Sequence, residues 1–438
     1  MSPRHPTLPP GAPTARRNDH GVARVALLAV AVFLLGGAVI GSAVWLGWGS
    51  TPRPPREGRQ VGATVPSLPP PPPTTSPPPL VDSLSAVWCG RGNACIAVGN
   101  SSRGLSGHSY SEVRTKTGWR VVPIASPGGS SERLSAISCV GTAPTWCVAV
   151  GSVTSPGEHA FAEIFDGTRW ASSPAVRPGT FDDLVGVGCE SRARCVAVGS
   201  YRTPRGVFPL MEELNGSTWS VMGSPAVSGA PVVTAVSCGA SCVAVGDSLA
   251  GEIVVPFSEE LTGSGWRVTP VPLPAGAQKG AALSSVDCAP HGWCTAVGVQ
   301  YGTRGTPSPL VEQQGAKGWS PVAVHSPASG AASPTSFGVT GMLSGVSCPA
   351  AGLCTAVGEK VEGNWASAPL VPFLLSQSAG SWFLAGRPPV DSPAARFSGI
   401  SCVLGSPCVA VGSLFKGGQY RPLVAFVGTG VASLVPPG

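Results

Sequence analysis

Between Leu84 and the C-terminus the chain repeats one pattern seven times: a short apolar run, a cysteine, a few loop residues, a second cysteine, then Ala-Val-Gly. The first copy reads Leu84-Ser85-Ala86-Val87-Trp88-Cys89, then Cys95-Ile96-Ala97-Val98-Gly99. The remaining pairs are Cys139 with Cys147, Cys189 with Cys195, Cys238 with Cys242, Cys288 with Cys294, Cys348 with Cys354, and Cys402 with Cys408. First cysteines stand about 50 residues apart, stretching to 60 between Cys288 and Cys348. A fixed period of this size means stacked supersecondary units, each too small to bury its apolar face alone.

Each unit continues alike. A polar loop leads to an apolar run such as Pro209-Leu210-Met211-Glu212, then to a turn closing on Trp, as in Asn215-Gly216-Ser217-Thr218-Trp219. The Trp recurs at Trp119, Trp170, Trp219, Trp266, Trp319 and Trp382, followed by a β-branched stretch. Short runs rich in Val, Ile and Thr between turn signals predict four strands per unit. The seventh copy of the fourth strand, Val431 to Val435, lacks the Trp. Seven units of four strands predict an all-β chain, a seven-bladed β-propeller; a linear solenoid is the alternative. The small residues of Ala-Val-Gly suit strands near a crowded central axis.

Period, strand order and the Trp opening the fourth strand resemble kelch-type propellers. The turn Asp166-Gly167-Thr168-Arg169-Trp170 is similar to the Asp-box turn of sialidase-like propellers. The resemblance covers residues 84–438. It departs from kelch in lacking a Gly-Gly doublet after the second strand, and from Asp-box repeats in lacking the Asp in most units. Both families contain enzymes and plain binders, so the resemblance implies a fold and little more.

All 14 cysteines fall in the repeats, two per unit. Two strand ends joined by a short loop can bring sulfurs within bonding range, so each pair is read as a disulfide within its own unit. A zinc site needs about four converging ligands, and no His recurs at a regular spacing beside these pairs. Seven such bridges place the repeats in an oxidising compartment.

Residues 25–48 contain no charged side chain and are long enough to span a bilayer. They predict a signal anchor, with residues 1–24 as a cytoplasmic tail; a cleaved signal peptide is the rival. The chain is thus read as a single-pass plasma-membrane protein with its repeats outside. Residues 49–80 hold Pro69 to Pro73 and Pro77 to Pro79 and form a spacer, extended at about 3.1 Å per residue. The repeats occupy 81–438. The net charge of +6 gathers ahead of them: residues 1–80 hold seven Arg against Asp19 and Glu57. The remainder is nearly neutral and lacks the basic footprint of a nucleic-acid binder.

In a four-stranded meander the cysteine loops and Trp turns share one rim, and the variable loops share the other. Variable loops on a rigid scaffold are the default binding surface. Candidate ligand residues there are Arg103, His108, Arg202, Arg205, Arg304, Lys416 and Arg421, together with the link from Ser326 to Met342. Acids Glu158, Asp247, Glu252, Glu359 and Glu362 share this rim, so no charge preference is predicted. His108, His159, His291 and His325 occupy different positions in their units and read as surface histidines. Glu112, Glu163, Glu212, Glu259 and Glu312 each stand seven residues before their Trp. A position repeated in that way serves the blade. Tyr110, Tyr201, Tyr301 and Tyr420 supply the residue type of a sialidase nucleophile, with nothing to place them together. No metal spacing, P-loop, nucleophile elbow or dinucleotide motif is present, so neither a catalytic set nor a cofactor is assigned. The expected function is binding of a cell-envelope polysaccharide or surface protein; the alternative is a glycan-active hydrolase or lyase using the variable rim.

Overall fold

The computed structural model describes residues 80–438, apart from 105, 125–126, 290–291, 326–339, 362–369, 379, 387, 389, 391, 393, 428–431 and 435–438. The expected tail, anchor and all but the last residue of the spacer lie outside the described residues, as do His291, Glu362 and most of the link from Ser326. Among the described residues no helix is long and apolar enough to cross a membrane.

The first unit is an antiparallel meander of strands Leu80–Cys89, Cys95–Arg103, Ser106–Thr115 and Gly118–Pro123. The same order recurs over 131–173, 181–221, 231–270, 281–321, 341–386 and 395–434. The last of these closes on Ala432–Leu434, where a fourth strand without Trp was expected. First strands of successive units touch one another, and the seventh touches the first. This is the arrangement of a β-propeller, with the first strand of each blade innermost. The second strands are buried on both faces: in Cys147–Thr154 only the terminal Thr154 is exposed.

Each inner strand carries a bulge. Pairing with the second strand skips Ser85 in blade 1, Val185 in blade 3 and Thr234 in blade 4. The glycine of Ala-Val-Gly lies opposite the bulge. A Cβ on Gly99 would strike the carbonyl oxygen of Ser83, and one on Gly199 that of Asp183; the same clash recurs in the other five blades. The crowding that demands a small residue is therefore inside each blade, where two backbones meet at the bulge. The central axis, to which the sequence reading assigned it, is lined by the first strand instead.

Blades are joined by the repeated residues. Each Trp packs into the blade before it: Trp170 with Ile96 and Val122, Trp219 with Val148 and Val150, Trp319 with Val243 and Val245. Three of them also donate Nε1–H to a serine of that blade: Trp170 to Ser111 at 2.8 Å, Trp219 to Ser173 at 3.0 Å and Trp319 to Ser258 at 2.8 Å. Near the axis the residue before the first cysteine does the same job. Ser138 Oγ accepts from Cys189 N, Ser237 Oγ from Cys288 N and Ser347 Oγ from Cys402 N. Asp287 replaces serine in blade 5 and accepts from Cys348 N at 2.6 Å.

The ring closes by the same means. Ser401 Oγ accepts from Cys89 N at 2.9 Å, and Trp119 packs with Val409, Val424 and Phe426 of blade 7. Val81 pairs with Tyr420, and the Arg114 guanidinium lies 4.3 Å from the Phe426 ring centroid. Among the described residues no blade mixes strands from the two ends of the repeat region.

Seven disulfides join the inner strand of each blade to the second, with sequence separations of 4 to 8. In chain order Cys89 is bonded to Cys95, Cys139 to Cys147, Cys189 to Cys195 and Cys238 to Cys242. Cys288 is bonded to Cys294, Cys348 to Cys354 and Cys402 to Cys408. Every bridge stays within its own repeat, as the short loops implied, and no cysteine is left free. Closing so short a loop stabilises by roughly 2 kcal/mol each in the chain-entropy account. Bridges in this number suggest an extracytoplasmic domain.

Candidate ligand rim

The disulfides and Trp turns lie at one end of the strands. The rim at the other end is built from the hairpins between second and third strands and from the links between blades. Arg103 and His108 lie beside the blade 1 hairpin, Arg202 and Arg205 on that of blade 3, Arg304 on that of blade 5, and Lys416 and Arg421 on that of blade 7. All seven are exposed. The structure distributes them over four hairpins and does not draw them into one pocket. The four tyrosines fall in those same blades and do not converge: Tyr110 turns inward to donate to Ser83 O at 3.4 Å.

A network of charged and polar side chains sits where blades 2 and 3 meet. Arg133 donates through Nη2 to Asp183 Oδ2 at 2.8 Å and lies 3.7 Å from Glu158 Oε1. Ser152 Oγ donates to the same Glu158 oxygen at 2.7 Å. Burial pushes the Asp183 carboxyl up, and the Arg133 guanidinium pulls it back down. One residue earlier, Asp182 has a fully buried side chain; its Oδ1 accepts from Gly179 N at 2.8 Å, and its Oδ2 lies 3.5 Å from His159 Nδ1. His159 is not the surface histidine that its irregular position implied. Its side chain is 17% exposed, because the third strand of blade 2 turns it into the inter-blade seam against Asp182.

Outside this seam the blade 3 hairpin is aromatic and cationic. Tyr201 pairs across the strands with both Asp182 and Phe208, and its ring stacks on Phe208 at 5.5 Å between centroids. Arg202 lies over the exposed ring of Phe181, 5.6 Å from its centroid. From the seam outward the junction thus runs from buried carboxylates, through an imidazole and a guanidinium, to the half-buried Tyr201 and Phe208 rings and the exposed Phe181 ring. Such a surface presents hydrogen-bond partners of both kinds beside flat apolar rings.

Arg133, Asp182 and Asp183 were missed from sequence. For Arg133 and Asp183 a signal was available at the residue before the apolar opening of each repeat, which reads Ser83, Arg133, Asp183, Val232, Ala282, Met342 and Arg396. Where the neighbouring repeat positions agree, this one varies in charge and size. The Arg133–Asp183 pair joins residues 50 apart, a separation that only the ring makes local.

Glu190, Cys238 and Cys242 come within 4.8 Å of one another. Both sulfurs belong to one disulfide, so they offer no thiolate to a metal. Glu190 Oε1 lies 3.3 Å from Cys242 Sγ, a contact and not a hydrogen bond, since oxidised sulfur carries no proton.

The turn resembling an Asp-box is formed in blade 2. Asp166 Oδ1 accepts from Thr168 Oγ1 at 2.7 Å, Thr168 N at 2.8 Å and Arg169 N at 2.9 Å. These bonds, the Thr168 hydroxyl first, hold its carboxyl well below the usual range. Thr115 and Thr262 take the same place in blades 1 and 4, each accepting from the amide two residues on. The turn lies on the disulfide rim, away from the blade 2–3 seam.

No family model matches this chain, and no curated protein does. Among solved structures it is similar to a polysaccharide lyase of family PL25, an ulvan lyase solved bound to -[GlcA(1-4)Rha3S]-, at 10% identity and a TM-score of 0.50, covering 82% of this chain and 96% of that one. A mutant of the Aleuria aurantia lectin in complex with Fucα1-6GlcNAc aligns at 14% identity and a TM-score of 0.37, covering 59% of this chain and 79% of that one. The extracellular domain of a hybrid two-component system of B. thetaiotaomicron aligns at 8% identity and a TM-score of 0.40, over 75% of this chain and 37% of that one. The first of these likenesses supports the propeller fold.

Proposed function

We propose that this chain is a seven-bladed propeller that binds a cell-envelope glycan outside the cytoplasm, with the blade 2–3 junction as its principal site. One observation carries the reading. On the rim where the repeats diverge, a single blade edge combines the exposed Phe181 ring, Arg202, the Tyr201–Phe208 stack and the Arg133–Asp183–Glu158 network. A sugar ring has a C–H face that stacks on aromatics and a belt of hydroxyls that both donate and accept; this edge offers partners for each. Use of a like fold by a polysaccharide lyase adds support for glycan as the ligand class. An anchor at 25–48 and a spacer at 49–80 would give such a module its place: tethered to the membrane and held off it by up to roughly 100 Å of extended chain.

Retention of the full-length chain on envelope polysaccharide, measured beside its Phe181→Ala and Arg202→Ala variants, tests the proposal. Retention lost on either substitution, with thermal stability unchanged, is the expected result. A chain that passes unretained over envelope polysaccharides, or variants that bind as well as the parent, would sink it.

A second reading is favoured by a specific contact. An imidazole set beside a buried carboxylate, with His159 Nδ1 3.5 Å from Asp182 Oδ2 and no hydrogen bond formed between them, supplies the residue types of a general base and its orienting partner. Turnover on a panel of acidic and neutral glycans, abolished by His159→Gln with binding intact, would raise the enzyme above the binder.

A further inference from the structure

The link between blades 4 and 5 folds back on the blade 5 hairpin and leaves an open cleft of about 500 Å³ between them. Gly276, Gln278, Gly302, Thr303, Arg304 and Thr306 line it. Both walls are fixed by backbone hydrogen bonds. In the link, Ala277 N donates to Pro274 O and Gly280 N to Ala277 O, each at 2.9 Å. In the hairpin, Gly302 N donates to Thr306 O at 3.1 Å and Gly305 N to Gly302 O at 2.8 Å. The two walls are stitched together by Lys279 N to Tyr301 O at 3.0 Å and Tyr301 N to Gly280 O at 2.8 Å. A site braced in this way has its ordering cost met on folding and not on binding.

The chemistry of the lining is one-sided. Arg304 brings a guanidinium fork that enters no ion pair or side-chain hydrogen bond among the described residues. Lys279 is exposed on the adjoining link. Among the described residues no Asp or Glu lines the cleft. Asp247, which acts electrostatically on Tyr301, is buried and is not part of the lining. Thr303, Thr306 and Gln278 add two hydroxyls and an amide, groups that donate and accept. The glycines leave room for a chain to approach, and no large apolar side chain is present to hold a peptide's.

We infer that this cleft is a second binding subsite, taking one oxyanion substituent (carboxylate, phosphate or sulfate) carried on a hydroxyl-rich polymer, with Arg304 gripping the anion and Thr303, Thr306 and Gln278 meeting the neighbouring hydroxyls. A planar guanidinium matches such oxyanions through two parallel N–H bonds, which lysine cannot reproduce. The site is distinct from the blade 2–3 junction and needs nothing from it.

The full-length chain is titrated with size-matched oligogalactoside, oligogalacturonate, phosphorylated and sulfated oligosaccharides, and an oligoglutamate peptide. The expected result is that at least one anionic oligosaccharide binds about fivefold to tenfold tighter than the neutral one. The advantage shrinks as salt rises. Which anion gains most identifies the substituent. Arg304→Ala removes the advantage and leaves neutral binding in place, Arg304→Lys restores only part, and Phe181→Ala lowers neutral binding without touching the advantage. Equal affinity for neutral and anionic oligomers overturns the inference, as does an advantage that survives Arg304→Ala, or a preference for the peptide over every glycan. Anionic binding with no neutral binding would overturn the blade 2–3 reading and leave this one standing.

Discussion

Glu112, Glu163, Glu212, Glu259 and Glu312 each stand on a third strand, opposite the alanine of Ala-Val-Gly, and none is more than 2% exposed. Blades 6 and 7 place Leu375 and Ala425 there. Two of the five find donors in the preceding link: Val176 N to Glu212 at 3.1 Å and Ser224 Oγ to Glu259 at 3.2 Å. Neither oxygen of Glu312 has a hydrogen-bond partner among the described residues, and burial pushes its carboxyl from 4.5 up to about 8. A carboxyl whose folded pKa is raised favours the fold while it stays neutral. That stability is full below pH 4.5, falls as pH rises through about 8, and is then lost. Glu312→Gln removes the ionisation. Its unfolding free energy should match the parent's near pH 4 and exceed it increasingly up to pH 9, by at most about 5 kcal/mol. A difference that is flat with pH would refute the assignment. Gly199 makes the opposite prediction: Gly199→Ala drives a methyl into the Asp183 carbonyl and should cost about 1 to 3 kcal/mol in denaturant unfolding. The spacing of the five glutamates from their Trp was plain in the sequence. Their burial was not, because a charged residue in a strand ordinarily marks a solvent face.

The blade is the smallest part in which the repeated residues make sense, and most of them act across its edge. Trp170 is a good test because both halves of its contact are visible: the ring packs against blade 1, and Nε1 donates to Ser111 Oγ, which itself donates to Val122 O at 2.9 Å. Trp170→Phe keeps most of the ring and drops the donor; Ser111→Ala keeps the donor and drops the acceptor. Each should cost about 1 to 2 kcal/mol, since either leaves a buried polar group unmatched. A double-mutant cycle should return a coupling of about 1 kcal/mol, and a coupling of zero would mean the pair merely coexists. Trp266 and Trp382 have no hydrogen-bond partner at Nε1 among the described residues, so Trp→Phe there should cost less. The sequence marked these tryptophans as structural without showing which blade each one serves. The serine before the first cysteine was equally legible and was passed over, because its partner lies in the next repeat, 51 residues on for Ser138.

For the whole molecule, fold and site differ in how far sequence reaches. Period, cysteine pairs and turn residues are local signals, and they sufficed for four strands per unit. The blade 2–3 junction is assembled from residues of two repeats: His159 with Asp182, Arg133 with Asp183. A position that differs among copies carries no periodic signal, and its partner is fixed only once the ring exists. The same ring sets how stability is shared. Among the described residues every hydrophobic cluster spans two neighbouring blades, and the one holding Trp119 and Phe426 joins the last to the first. No blade has a core of its own, so the propeller should unfold as one cooperative unit, not blade by blade. Against that unit stand seven disulfides of roughly 2 kcal/mol each. Their combined effect is comparable to the whole net stability of an ordinary domain, about 5 to 15 kcal/mol. A chain unfolded in denaturant with its bridges intact should therefore recover its far-ultraviolet circular dichroism on dilution. The same chain unfolded with dithiothreitol and diluted into reductant should not, and should recover once an oxidising glutathione buffer is supplied. Full recovery under reductant would show that the blades hold together without their bridges and would remove the chief physical reason for placing them outside the cytoplasm.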